Sequence, residues 1–210
     1  MGHSQFQRQL DEDLKRLEQQ LRGLCQDQLR VSESERLKVL DLACGECFEA
    51  EMLQRVLRET AAPSNPAEGS DLQVDFVGMD IREAEIARAA ERCGKLEDPV
   101  NFKFLSGDGK KLLQDSALPE AFDVVFVRHQ NYYLGGKDWH DLFQRSLERL
   151  APNGKLIITS YFDHEHELAK EAIQNVGGQL IEDVANREAR ALQTVGKSVD
   201  KRLALFRRQD

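Results

Sequence analysis

Leu10, Leu14, Leu17, Leu21 and Leu24 recur at alternating steps of four and three, and Glu, Lys and Arg fill the positions between them. That spacing places the leucines on one stripe of a helix within residues 5–30. The stripe either packs on the chain's own domain or pairs with a second copy as a coiled coil. Only about two and a half heptads are present, where about three to four are wanted for a coiled coil. A monomer is therefore expected, with a homodimer through this helix as the alternative.

After Ser32-Glu33-Ser34-Glu35 the period changes. Lys38 to Ala43 reads as a short buried strand closed by Cys44-Gly45, and Glu49 to Glu59 as a helix. Ala61 to Asp71 carries Pro, Asn, Gly and Ser and predicts a loop. Val74–Met79, Val100–Leu105, Phe122–Val127 and Lys155–Ser160 are further apolar runs of strand length. Helices are predicted over Glu83–Arg92, over Trp139–Leu150 with Ala151-Pro152-Asn153-Gly154 closing it, and over His164–Val176. Near-continuous apolar strands alternating with helices predict an α/β fold: a doubly wound, Rossmann-like, mostly parallel sheet covered on both faces. Gln179–Val184 and Arg202–Arg207 are strand-like runs with no helix between them, which predicts a C-terminal antiparallel pair. The expected organisation is an N-terminal helical extension over residues 1–35 and an α/β domain over 36–210.

Composition narrows the function classes. Hydrophobic residues make up 40% and charged residues 31% of the chain, an ordinary globular balance. No apolar run approaches the roughly 18 residues of a membrane span, so no membrane partner is expected. The polar, helix-patterned first 30 residues predict no secretory signal, and Phe6 stands where a myristoylation motif needs Ser or Thr. Cys25, Cys44, Cys47 and Cys93 are too few and too scattered for a disulfide framework, which predicts a reducing, cytoplasmic location. The net charge of −8 argues against a nucleic-acid substrate, whose binders present a basic face.

In a doubly wound sheet, ligands bind beyond the carboxyl ends of the strands, where the winding reverses. The residues there are Asp41 to Cys47, Asp80, Gly107-Asp108-Gly109 and Arg128-His129-Gln130. Val39-Leu40-Asp41-Leu42-Ala43-Cys44-Gly45-Glu46-Cys47 resembles the first motif of class I S-adenosylmethionine-dependent methyltransferases, a hydrophobic strand followed by acid-x-Gly-x-Gly-x-Gly. Val77-Gly78-Met79-Asp80-Ile81 is similar to their second motif, Leu105-Ser106-Gly107-Asp108-Gly109 to the third and Phe122–Val127 to the fourth. Leu147–Ile158, where a helix ends in a Pro-Gly turn before a strand, resembles the fifth. The resemblance covers about residues 37 to 207 and makes 36–210 the expected class I methyltransferase domain.

The resemblance implies S-adenosylmethionine as cofactor. Asp41 stands where the family's acid helps hold the methionine ammonium, and Ala43, Cys44 and Gly45 where its loop approaches the methionine tail. Asp80 is placed to accept hydrogen bonds from the ribose hydroxyls. Ile81 offers an apolar face to the adenine, and Gly107, Asp108 and Gly109 stand where its amino group and ring nitrogens are met. Arg128 completes the expected cofactor set. Each acid keeps a plainer reading: Asp41 as a cap, Asp80 as an ordinary strand end, Asp108 as a turn residue. The family's three glycines correspond to Ala43, Gly45 and Cys47, and Cys47 is expected to crowd the methionine tail.

Methyl transfer rests on holding the nucleophile in line with the methyl group, with a base where the acceptor loses a proton. His129 is the expected acid/base residue, in a stretch to Tyr133 whose tyrosines would wall an acceptor pocket; the alternative is a histidine that only shapes the loop. The N-terminal helix is expected to pack over the cleft and help enclose the acceptor. A small-molecule acceptor is favoured, and a non-catalytic binding protein on the same scaffold is the alternative function. Cys44-x-x-Cys47 lacks a second ligand pair, so no metal is expected. His164 and His166 read as a solvated helix start. The dehydrogenase pattern Gly-x-Gly-x-x-Gly is not met.

Overall fold

The apolar runs form one sheet of seven strands: β1 (Arg36–Leu42), β2 (Gln73–Asp80), β3 (Val100–Ser106), β4 (Phe122–Arg128), β5 (Leu150–Ser160), β6 (Gly178–Ala185) and β7 (Arg202–Arg208). Their spatial order is β3-β2-β1-β4-β5-β7-β6. The structure is a computed structural model and describes residues 4–31, 36–63, 72–96 and 100–209. Neighbours are parallel from β3 through β5, and β7 runs antiparallel to both β5 and β6. The doubly wound sheet with its C-terminal antiparallel pair is therefore as the sequence predicts.

Alternation along the strands builds two core layers. Val39, Phe76, Val124 and Phe126 face α1 (Gln5–Cys25), α2 (Ala50–Thr60) and α3 (Glu83–Cys93). Leu40, Val77, Val125 and Val127 face α5 (Tyr132–Glu148) and α6 (Asp163–Asn175). Between β3 and β4 lies a single-turn helix, α4 (Gly109–Leu112), too short for the sequence pattern to reveal. Strand β3 is only half-buried, because it is the sheet edge and covered less completely than its neighbours.

Helix α5 begins at Tyr132 rather than Trp139. Gly135, with φ −138°, joins two helical segments across a kink, and the Gly135-Gly136 pair hides the first of them from a periodicity reading. Pro152-Asn153-Gly154 lies inside β5 rather than ending the preceding helix. A register slip absorbs it, since Phe122 faces Leu150 while Val124 faces Lys155.

Leu17, Leu21 and Leu24 of α1 are fully buried in the same layer as Leu53 and Leu57 of α2. Glu18 bridges the two helices through Arg55 at 3.0 Å. The leucine stripe thus packs on the chain's own core. The division at 35/36 adjoins residues 32–35, which lie outside the described residues, as do 64–71 of the predicted loop. Among the described residues no helix is long and apolar enough to cross a membrane.

Candidate functional site

The winding of the sheet reverses between β1 and β4, and a cavity of about 480 Å³ opens beyond their carboxyl ends. Leu42, Ala43 and Met79 line it beside Asp80, Ile81 and Arg82. Gly107 to Lys110 form a further wall, and Arg128, His129, Asn131, Gly135, Asp138, Trp139 and Leu142 complete it. Ile81 is 74% exposed at this cavity, an apolar side chain left for a ligand to cover. A Cβ on Gly135 would meet the Trp139 ring at 3.3 Å, so the glycine lets the indole close in.

The loop after β1 explains the family's glycine spacing. Ala43, Gly45 and Cys47 all have left-handed backbones, with φ of 60°, 57° and 51°. That conformation costs a residue with a Cβ about 1 kcal/mol or more. A Cβ at Gly45 would also sit 2.9 Å from Glu85 Oε2 and 3.0 Å from Arg82 Nη2. Cys47 does not crowd the cavity: its thiol is fully buried and donates to Asp41 Oδ2 at 3.2 Å. Left-handed backbone at Cys47 turns the side chain into the core, which corrects the expectation. Asp41 is fully buried with Oδ1 unpartnered. Burial, aided by the Glu49 carboxylate, pushes the Asp41 carboxyl well up. Asp41, Cys44 and Gly45 are not among the residues lining the cavity; they lie behind its wall.

Gly45 N–H donates to Asp80 Oδ2 at 2.8 Å, tying the loop to β2. Arg82 then clamps the same carboxylate, from Nε to Oδ1 at 3.0 Å and from Nη2 to Oδ2 at 3.2 Å, with its backbone N–H on Oδ1 at 2.9 Å. Burial works to raise the Asp80 carboxyl, but the bonds from Arg82 and Gly45 override it and hold it below its ordinary value. Asp108 caps α4, with Oδ1 accepting from Lys110 N–H at 3.0 Å, and Lys110 Nζ reaches Asp138 on α5 at 2.6 Å.

Arg128 ends β4 and is buried between two carboxylates, Asp200 at 2.7 Å and Glu49 at 3.3 Å. Burial opposes its charge, and the two carboxylates override that and raise its pKa. His129 stacks on Tyr161 with ring centroids 3.9 Å apart, and its Nε2 accepts from the Asp200 backbone N–H at 3.1 Å and lies 2.8 Å from Asp200 Oδ1. Tyr132 and Tyr133 do not wall the cavity. Tyr132 stacks on Phe143 in the core, and Tyr133 lies by Phe162 and His164, because α5 starts there and rotates both away. His166 is not solvated either: it is fully buried, bonded to Ser160 Oγ at 2.9 Å and Asp183 at 3.3 Å. Helix α1 contributes no residue to the cavity wall, against the expectation that it covers the cleft. Its reach toward the site is indirect, through Asp13, which holds Arg190 Nε at 3.0 Å.

Sequence reading missed Arg82, Asp200, Trp139 and Leu142. Asp200 lies 72 residues beyond Arg128, in a polar stretch with no motif, so only the strand pairing brings it in. Arg82 had one signal, its position two residues after Asp80 at a predicted ligand-binding strand end.

A doubly wound sheet with an acid, glycine turns and an exposed apolar residue at its switch point defines a Rossmann-like cofactor-binding protein. The chain matches the methyltransferase domain family over residues 33–201, belongs to it, and is a methyltransferase. The N-methyltransferase NodS from Bradyrhizobium japonicum WM9 has a similar structure, with TM-score 0.61 and 18% identity, over 95% of this chain and 98% of that one. The PH0226 protein from Pyrococcus horikoshii OT3 superposes with TM-score 0.63 at 18% identity, over 99% of this chain and 93% of the other. DhpI, in its complex with SAH, gives TM-score 0.60 at 15% identity, over 98% and 88%. No match was found among curated proteins.

Proposed function

We propose that this methyltransferase acts on a small-molecule acceptor held in the described cleft, with His129 as the base. The methyl donor is S-adenosylmethionine, which when bound supplies a methyl group activated by a sulfonium. The chain's residues fit it: an acid at the ribose position, the apolar faces of Ile81, Trp139 and Leu142, and glycine turns that let backbone approach. Asp80 accepts from the ribose hydroxyls once Arg82 swings aside. Ile81 covers one adenine face, and Gly107, Asp108 and Gly109 meet its polar edge. Ala43, Cys44 and Gly45 shape the turn beside the methionine tail. Asp41 acts from behind that turn, where the unpartnered Oδ1 offers an acceptor to the ammonium through water. Arg128 sets the floor.

The contact that carries the base assignment is the one between His129 Nε2 and Asp200 Oδ1, 2.8 Å. In the resting ring Nε2 accepts from the Asp200 amide N–H at 3.1 Å and Nδ1 carries the proton. For the ring to act as base its proton moves to Nε2, beside the carboxylate, which frees Nδ1 to accept the substrate's proton. Among the described residues nothing hydrogen-bonds Nδ1. Asp200 then steadies the imidazolium that forms. A net charge of −8 and a cavity of about 480 Å³ support a small molecule over a nucleic acid.

The test is transfer of label from methyl-labelled S-adenosylmethionine into a cell extract divided into metabolite, protein and nucleic-acid fractions. Label in the acid-soluble metabolite fraction is expected. Label confined to acid-precipitable protein or nucleic acid contradicts the acceptor class.

A further inference from the structure

A second cavity, of about 340 Å³, is lined by Gln28, Lys155, Gln179, Leu180, Ile181 and Arg207. It lies at the far end of the sheet from the cleft. Leu156 pairs with Phe206 and Leu180 with Phe206 there, whereas the cleft-side end of β5 is Ser160, opposite Arg202.

Two cations face this cavity without a carboxylate. Lys155 is 7% exposed, and its Nζ donates to the Asn153 carbonyl at 2.6 Å, which leaves two donors. Arg207 Nε donates to Gln179 Oε1 at 2.7 Å, which leaves its terminal nitrogens. Among the described residues neither cation forms an ion pair. Two other buried charges, by contrast, are matched: Asp13 by Arg190 and Arg128 by Asp200. Burial and the Arg207 charge both push the Lys155 ammonium down, as expected of a cation facing only another cation. An unmatched buried ammonium is costly and calls for an anion.

We propose that this cavity binds a phosphorylated small molecule. Arginine presents a planar fork that matches phosphate oxygens, lysine adds a point charge, and the amides of Gln28 and Gln179 add neutral donors. Leu180 and Ile181 give the organic part an apolar wall. The site is independent of the methyl-transfer cleft.

The experiment is thermal unfolding of the full chain titrated with inorganic phosphate at ionic strength matched by chloride, with and without saturating S-adenosylhomocysteine. A saturable rise in Tm is expected, unchanged by S-adenosylhomocysteine. It is lost in Lys155→Met and displaced to about tenfold higher phosphate in Arg207→Gln. Arg207 is exposed, so its variant keeps the test if Lys155→Met does not fold. Absence of a saturable rise overturns the proposal. So does a rise that Arg207→Gln leaves in place, or one that S-adenosylhomocysteine abolishes, which puts the anion in the cleft. An equal rise with acetate overturns the assignment to phosphate.

Discussion

Residues 129 and 200 are both held in left-handed backbone, with φ of 57° and 47°, and each contacts the other. Strain of this kind, about 1 kcal/mol or more at each residue, persists where surrounding bonds impose it. Here Thr159 Oγ1 donates to Asp200 Oδ1 at 2.8 Å and the guanidinium of Arg128 holds both carboxylate oxygens. The arrangement fixes the imidazole against Tyr161 without blocking Nδ1. His129→Ala is expected to lower kcat by about a hundredfold once an acceptor is in hand, the lower range for a lost general base. The pH–rate profile should change shape. Turnover within a few-fold of wild type and an unchanged profile make His129 a loop-shaping residue. Position 129 was legible because strand ends bear ligands; its partner was not, because an aspartate in a polar stretch looks like any solvated acid.

At the scale of elements, the mostly parallel sheet and its C-terminal antiparallel pair were readable because buried strands are continuous apolar runs set off by polar or glycine-bearing turns. What was not readable was direction. The periodicity of α1 identifies a leucine stripe without saying which surface it meets, and the structure shows α2 rather than the cleft. Leu21 is fully buried there. Leu21→Ala should cost about 3 kcal/mol, as deletion of a buried leucine typically does, seen as a lower urea midpoint with the slope unchanged. A loss under about 0.5 kcal/mol, the scale of surface substitutions, makes α1 peripheral. The segment between β6 and β7 was equally opaque. It is held by Asp13 at Arg190 and by Arg128 at Asp200, so it links the first helix to the proposed base through side chains far apart in sequence.

For the whole molecule, stability and ligand binding both hinge on buried charge. Burial pushes His166 down to about 4, against the opposing pull of Asp183, with Arg202 and Lys170 also pressing it down. The unfolded chain, titrating near 6.5, then binds more protons between those values, so stability is full above about 6.5 and falls as pH drops toward 4. The shift corresponds to about 3 kcal/mol. Unfolding free energy measured from pH 7 to 4 should fall accordingly, and His166→Gln should flatten the fall; an equally steep fall in that variant assigns it to other groups. The central claim is that Asp80 receives the cofactor ribose and that Arg82 must leave for it to do so. Calorimetry of S-adenosylhomocysteine with wild type, Asp80→Ala and Arg82→Ala tests it directly. Asp80→Ala should weaken binding by about 1–3 kcal/mol, the scale of lost hydrogen bonds to a charged group. Arg82→Ala should tighten binding by up to about fivefold, since the displaced pair is half-exposed and worth about 1 kcal/mol at most. No binding by wild type at millimolar ligand, or equal binding by Asp80→Ala, contradicts the account.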